Sequence, residues 1–202
     1  MRGLPPSAGY EAGADTLRER IGDALDLGVT ELTVYSLSTE NLSRQAEDVT
    51  ALTSVLARRV EVESRWLLRE GVRVRFIGRH CQLPGDLTRQ ICRAQELTAS
   101  NREMTLFLAI NYGARAEILE AARRFGGGGE REFRRFLCAP EMHDPELVVR
   151  TGGERRLSNF LLWQSVYSEL VFREELWPDF TRRALEEALA EFRTRRRRFG
   201  GR

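Results

Sequence analysis

The segment Val149–Glu169 contains residue types that can bind an anionic ligand. Its cationic and hydroxyl side chains lie around the pair Gly152-Gly153, and they are Arg150, Arg155, Arg156 and Ser158. Planar guanidinium groups can donate two bonds to one phosphate, and glycine lets the backbone approach a ligand closely. The stretch Asn159–Tyr167 is predicted to be a helix whose N-terminus would favour negative charge. This pattern predicts a diphosphate-binding site; the alternative is a surface loop with ordinary arginines.

A second polar segment, Ser36–Asp48, follows an apolar run that is typical of a buried strand. It brings together two hydroxyl groups, a carboxylate, an amide and a guanidinium, on Ser38, Thr39, Glu40, Asn41 and Arg44. Such groups can hold a diphosphate and orient a reacting group. The alternative is an N-cap and a polar loop that lead into the next helix.

Strand-like and helix-like segments alternate along the chain. The predicted strands are Leu32–Leu37, Val72–Ile77, Met104–Ile110, Leu147–Val149 and Glu169–Phe172. The predicted helices are Gly13–Leu27, Val49–Leu68, Leu87–Ala99, Ala114–Phe125, Asn159–Tyr167 and Thr181–Arg198. This order predicts an α/β fold with a mainly parallel central sheet and helices on both faces. Ligands in such folds bind at the carboxyl ends of strands, where both polar segments lie.

The long helix Val49–Leu68 has an apolar side, formed by Val49, Leu52, Leu56, Val60 and Leu67. This side is either part of the core or the wall of a tunnel for a hydrocarbon chain. In a tunnel, each buried CH₂ of the ligand would contribute about 0.8 kcal/mol.

Length and composition favour one domain of 202 residues, in which a hydrophobic content of 42% permits a sizeable core. A net charge of +2 argues against a general binder of polyanions. The basic run Arg195–Arg198 has no aromatic partners, so we expect no nucleic-acid binding. The cysteines Cys81, Cys92 and Cys138 form no CxxC pair, which is typical of reduced thiols in a cytoplasmic protein.

Several ordered stretches resemble the cis-prenyltransferase family, which includes undecaprenyl diphosphate synthase. They are LTVYSLSTENLSR, NYGARAEI, RTGGERRLSNFLLWQSVYSELVF, LWPDF and RRFGG, and the resemblance runs from about Gly3 to the C-terminus. It implies that isopentenyl diphosphate adds repeatedly to an allylic diphosphate, such as farnesyl diphosphate, to form cis double bonds. It also implies Mg²⁺, which helps the allylic diphosphate leave, and a homodimer that contacts the membrane peripherally through its product.

The resemblance implies roles for individual residues. Isopentenyl diphosphate would be bound by Arg150, Arg156, Leu157 and Ser158. Glu169 would help to hold Mg²⁺. The reacting centre would be lined by Ser38, Thr39, Glu40 and Arg44, with Asn41 assisting proton removal. The terminal residues Arg198 and Gly200 would reach the isopentenyl site, often across the dimer interface.

The chain departs from the family pattern in the allylic half of the site. Family members begin with a strand that leads into an Asp-Gly-Asn-x-x-Arg-Trp motif, whose Asp is the main magnesium and catalytic carboxylate. This chain starts at Met1, just downstream of that motif, and Pro6, Tyr10 and Leu42 replace a family Arg, His and Trp. We therefore expect an N-terminally incomplete domain, with an apolar slot and unpaired backbone groups in its sheet.

Several explanations of this departure stay open. The chain is a shortened form of an ordinary enzyme, a non-catalytic subunit of a heteromer that lends its C-terminal segment to a complete homologue, or a diverged enzyme with a relocated carboxylate. Glu40 and Asp48 are the candidates for such a carboxylate. A nucleic-acid-binding module based on the arginine tail is the remaining alternative.

Overall fold

The computed structural model describes residues 6–43 and 46–196. Within these residues the strands are β1 (Glu31–Ser38), β2 (Val72–Ile77), β3 (Met104–Tyr112), β4 (Leu147–Arg150) and β5 (Glu169–Phe172). The α-helices are α1 (Pro6–Asp26), α2 (Ala46–Arg69), α3 (Gly85–Leu97), α4 (Ala114–Arg124), α5 (Glu130–Arg134) and α6 (Arg182–Thr194). All the predicted strands are confirmed, with small differences at their ends. No helix in this part of the chain is long and apolar enough to cross a bilayer.

Every strand pair is parallel, as predicted. β3 lies between β1 and β2, and β4 pairs with β5. The register between β1 and β3 shifts after Tyr35, where the strand approaches its carboxyl end. Such an irregularity redirects side chains, and here it precedes the polar loop that begins at Ser38.

Both faces of the three-stranded sheet are covered, which explains why β3 is apolar without alternation. Leu106, Leu108 and Ile110 pack on one face with residues of α1, α2 and α3. Phe107 and Ala109 pack on the other face, in a cluster that includes Ala114 at the start of α4. The predicted helices on both faces are therefore confirmed.

A cavity of about 1240 Å³ separates the facing edges of β1 and β4. Its walls include the consecutive residues 29–36 and 143–152. A strand face would contribute alternate residues, so these runs indicate that the backbone edges border the cavity. Among the described residues, no backbone ladder joins β1 to β4. The cavity lies between the two sheets, and the absence of a strand from this place stays a prediction.

The segment Asn159–Tyr167 does not form the predicted helix, and turns take its place. Ser158, Asn159 and Leu161 have φ angles of 51°, 65° and 43°. These angles lie in the left-handed region, which a right-handed helix cannot contain. Leu161 is buried in the cluster around Tyr112, so packing against the sheet determines the path of this segment.

Helix α6 ends at Thr194, four residues before the predicted end at Arg198. Beyond it Arg195 leaves the helical conformation, and its Nη1 donates to Glu169 Oε2 at 2.9 Å and to Leu170 O at 3.0 Å. These bonds tie the end of α6 to the start of β5. Arg198 and Gly200 lie outside the described residues.

Candidate functional site

The carboxyl ends of β1 and β4 border a polar pocket of about 810 Å³. Its walls include predicted site residues from both polar segments, namely Ser38, Glu40, Asn41, Arg150, Leu157 and Ser158. Two further predicted residues lie beside the pocket: Thr39 contacts the backbone of β3, and Arg156 borders the larger cavity. Arg44 lies outside the described residues. The structure therefore brings most of the predicted residues together.

A reciprocal pair of hydrogen bonds holds the loop after β1. Ser38 N–H donates to Asn41 Oδ1 at 3.0 Å, and Asn41 N–H donates to Ser38 Oγ at 3.2 Å. The segment thus forms a polar loop with its own internal bonds, and the same loop forms a wall of the pocket. A carboxamide is a very weak base, and Asn41 Oδ1 already accepts a bond. Asn41 is therefore suited to orienting a ligand through its NH₂ group rather than to removing a proton itself.

Tyr35 lies near two of the charged groups of the pocket, those of Glu40 and Arg150. Its hydroxyl group donates to Tyr112 O at 3.0 Å, and its ring stacks on Phe160 with centroids 4.7 Å apart. Burial, together with the negative charge of Glu40, raises the pKa of Tyr35 to about 12, while the positive charge of Arg150 acts against this rise. The Glu40 carboxylate and the Arg150 guanidinium therefore both lie near Tyr35.

Glu40 is an exposed carboxylate with donors on both oxygens. Asn159 Nδ2 donates to its Oε1 at 2.9 Å, and Thr39 Oγ1 donates to its Oε2 at 3.0 Å. The bond from Asn159 is the main cause that lowers the pKa of Glu40. The carboxylate is therefore ionised at neutral pH.

Arg150 ends β4 and lies where the polar pocket meets the larger cavity, because it lines both. Its backbone oxygen accepts a bond from Arg173 N at 2.7 Å. Its side-chain Nε is buried, and no atom of the described residues accepts a hydrogen bond from it. A buried guanidinium N–H without an acceptor is costly, so this position is suited to an anionic ligand.

The glycine pair after β4 forms a turn in which both N–H groups donate within the protein, and the expected close approach of its backbone to a ligand stays a prediction. Gly152 N–H donates to Glu175 O at 2.8 Å, and Gly153 N–H donates to Arg173 O at 2.9 Å. Their φ angles of 85° and 72° explain why glycine is suited to this turn. The predicted helix N-terminus is absent from Asn159–Tyr167. Arg150 and Ser158 are the candidate anion-binding groups that this segment places in the pocket.

The structure does not bring Glu169 to the pocket. Glu169 pairs with Leu147 at the amino ends of β5 and β4, whereas Arg150 pairs with Phe172. Three residues along a strand span about 10 Å. The Glu169 carboxylate accepts a bond from Arg195, and no group of three potential ligands among His, Cys, Asp and Glu is found in the described part of the chain.

The pocket also contains residues that the sequence did not single out as binding residues: Tyr35, Ser36, Arg115, Asn159 and Leu162. Arg115 closely follows the carboxyl end of β3, so the rule that located the two polar segments could have found it as well. Asn159 was overlooked because a helix was predicted to begin there.

The fold and the pocket define an α/β protein with a candidate anion-binding site at the carboxyl ends of parallel strands, next to an apolar cavity. Residues 1–200 match the family model described as putative undecaprenyl diphosphate synthase, and the chain belongs to this prenyltransferase family. It is 43% identical to isoprenyl transferase 2 of Bradyrhizobium diazoefficiens, over 99% of this chain and 84% of that relative.

Two solved structures support the same assignment. Lavandulyl diphosphate synthase from Lavandula x intermedia, in complex with dimethylallyl diphosphate, matches 99% of this chain and 91% of its own at 32% identity and a TM-score of 0.94. A probable undecaprenyl diphosphate synthase from Campylobacter jejuni matches 95% of this chain and 93% of its own at 32% identity and a TM-score of 0.86. The resemblance found in the sequence is therefore confirmed.

Proposed function

We propose that this protein transfers prenyl groups, by condensing isopentenyl diphosphate with an allylic diphosphate to form a cis-polyprenyl diphosphate. The observation that carries the proposal is the position of Arg150. Its buried Nε is without an acceptor among the described residues, at the junction of a polar pocket and an apolar cavity. A prenyl diphosphate is an amphiphile with matching parts, because its diphosphate needs donors and its hydrocarbon chain needs an apolar space.

The diphosphate of the isopentenyl unit would be held in the polar pocket. Arg150 and Ser158 supply a guanidinium and a hydroxyl group there. Charge-assisted bonds contribute roughly 1.5–3 kcal/mol each, so two such groups would give substantial affinity. Arg156 forms an ion pair with Glu154 and borders the larger cavity, so it would have to exchange this partner to join the site.

The hydrocarbon chain would extend into the larger cavity. This cavity shares Tyr35, Ser36, Arg150 and Leu157 with the polar pocket. Leu52, Leu56 and Val60 of α2 line it, and Leu52 and Val60 also belong to the core cluster. Helix α2 would therefore serve both as core and as a tunnel wall, the two alternatives that its sequence left open.

The described residues do not fit a Mg²⁺ site at Glu169, because that carboxylate binds Arg195 and lies away from Arg150. Mg²⁺ is usually bound by one or two carboxylates together with substrate phosphates. Dependence on Mg²⁺ is therefore proposed on the basis of the two diphosphates, and the role of Glu169 stays a prediction.

A homodimer is proposed on the basis of an exposed apolar surface beside the pocket. Leu162, Val166 and Tyr167 are 36%, 65% and 67% exposed, in the segment that leads from the pocket to β5. Burial of such side chains favours association. A second copy is the partner that we propose, in a reducing cytoplasm to which the three free cysteines are suited.

The alternative is a non-catalytic subunit that binds a complete homologue through the same surface. The pairing of Glu169 with Arg195 favours it, since this chain would then supply the isopentenyl half of a site whose metal carboxylates come from the partner. Binding of isopentenyl diphosphate without turnover would identify this case.

Isothermal titration with isopentenyl diphosphate tests the site. Arg150→Ala should weaken binding by about 10-fold to 100-fold, since it removes a charge-assisted contact. The matched control is Arg183→Ala, because the Arg183 side chain is 87% exposed on α6, where its Nε donates to Glu187 on the next turn. Equal affinity of wild type and Arg150→Ala would overturn the proposed site.

A further inference from the structure

Asn159 lies where the two polar segments of the pocket meet. Its Nδ2 donates to Glu40 Oε1 at 2.9 Å, and its Oδ1 accepts from Arg115 N at 2.8 Å. Only one orientation of the amide allows both bonds, because a backbone N–H can only donate and a carboxylate can only accept. The side chain is therefore fixed at both ends.

The backbone of Asn159 is fixed as well. Its carbonyl oxygen accepts from Ala114 N at 2.9 Å. Together with Oδ1, this bond satisfies the first two N–H groups of α4, for which the N-cap residue Gly113 has no side chain. The φ angle of 65° is one that asparagine adopts more readily than most residues.

These contacts determine where the Glu40 carboxylate lies relative to Arg150. Both side chains line the same pocket, and the charges of both act on Tyr35. A carboxylate that was free to move would approach a guanidinium with an unpaired N–H, because the two charges attract. Asn159 and Thr39 instead engage the two oxygens of Glu40.

We infer that Asn159 is a positioning residue that keeps the Glu40 carboxylate from pairing with Arg150, so that Arg150 stays available for a diphosphate. This inference rests on the proposed function, because it concerns the same pocket. Asn159 needs no contact with the ligand in this role. Without the Asn159 side chain, the Glu40 carboxylate would compete with the diphosphate for Arg150 and so weaken binding. Removal of the Glu40 charge would then restore the affinity.

The test compares isopentenyl diphosphate affinity in five forms of the chain by isothermal titration. Asn159→Ala should weaken binding by about tenfold, and Asn159→Ala combined with Glu40→Gln should bind within about threefold of Glu40→Gln alone. Asn101→Ala is the matched control, because Asn101 Nδ2 bridges Leu67 O and Val72 O away from the pocket. It should lower the thermal midpoint and leave affinity unchanged.

The inference is overturned if Asn159→Ala binds like wild type, or if the double variant binds as weakly as Asn159→Ala. A merely structural role of Asn159 would give the second result. A measurement without ligand distinguishes a failure of the inference about Asn159 from a failure of the proposed function. The NMR signal of Arg150 Nε–H should move in Asn159→Ala and return in the double variant. A signal that stays in place would refute the inference, whereas absence of isopentenyl diphosphate binding by wild type would refute the proposed function alone.

Discussion

At the scale of single residues, Gly113 allows three segments to approach one another. A Cβ atom at this position would lie 2.7 Å from Asn159 Nδ2 and 2.8 Å from Thr39 Oγ1. The φ angle of −160° is extended, so the requirement for glycine is steric. The close approach at Gly113 is what lets Asn159 reach both Arg115 and Glu40.

Gly113→Ala should therefore destabilise the protein by about 1–3 kcal/mol, as overpacking does in other interiors. The free energy of unfolding in urea measures this effect. Gly126→Ala is the matched control, because a Cβ there meets nothing within 4 Å. Equal losses in the two variants would show that the effect comes from the loss of glycine rather than from the contact with Asn159.

The hydroxyl group of Tyr35 should make stability depend on pH in the alkaline range. Its pKa is raised to about 12 by burial, against 10.0 for an ordinary tyrosine. Between these values the unfolded chain has lost the proton and the folded chain retains it, so stability falls as pH rises from 10 towards 12. Tyr35→Phe should reduce this slope, as measured by urea unfolding at several alkaline pH values. If the dependence of stability on pH were the same in Tyr35→Phe as in wild type, the hydroxyl group of Tyr35 would not be its cause.

Sequence reasoning found the residues whose chemistry is visible in their type and their place after a strand. Arg150, Ser158, Ser38 and Asn41 belong to this group, and the structure places them in one pocket. It did not find the role of Asn159. That role depends on contacts with residues 44 and 119 positions away in the chain, which neither spacing nor composition reveals.

At the scale of elements, the segment that carries Ser158 is held by contacts with α4 and has no continuous run of helical bonds. Glu117 of α4 is buried, and it accepts bonds from Tyr112 Oη at 2.6 Å, Gln164 Nε2 at 3.1 Å and Cys138 N at 2.9 Å. These three donors come from β3, from the turns after Ser158 and from the chain before β4. One carboxylate therefore joins three parts of the molecule.

Glu117→Ala should cost about 3 kcal/mol or more, because it leaves three donors without their acceptor. Urea unfolding measures the loss. Glu120→Ala on the same helix is the control, since Glu120 is 51% exposed and its ion pair with Arg123 is long at 3.4 Å. A loss in Glu117→Ala as small as that in Glu120→Ala would refute the central role of this carboxylate.

Periodicity predicted the strands and most helices because each has an apolar pattern of its own. The helix predicted at Asn159–Tyr167 had such a pattern too, but Leu161 and Gln164 are buried by different neighbours. From sequence alone, one helix face that is buried against a single surface cannot be distinguished from single residues that are buried in different places. The left-handed φ angles of Ser158, Asn159 and Leu161, which are incompatible with a helix, could be recognised only in the structure.

At the scale of the whole molecule, the gap between β1 and β4 should limit stability. The facing edges border one cavity and lack a common backbone ladder in the described residues. An N-terminal extension with the strand that the family pattern implies should raise the thermal midpoint by about 5 °C or more, through apolar burial and backbone pairing. A Gly/Ser extension of equal length is the control. Equal midpoints for the chain and both extended forms would count against a strand-sized slot.

The sequence predicted this slot through the family resemblance, whereas it could not predict the geometry of the two cavities. Their shared wall consists of Tyr35 and Ser36 from β1, Arg150 from β4 and Leu157 from the loop after β4. No backbone ladder joins these two strands within the described residues. The connection between the polar pocket and the apolar cavity is a property of the assembled fold, and the proposed function depends on it.

Formation of prenyl product is the most direct test of that function. The chain would be incubated with labelled isopentenyl diphosphate, farnesyl diphosphate and Mg²⁺, and the label in extractable prenyl product would be measured. Wild type and Arg183→Ala should form product, and Arg150→Ala should form much less. Absence of product with wild type at saturating substrate concentrations would contradict the account of this chain as a prenyltransferase that works by itself.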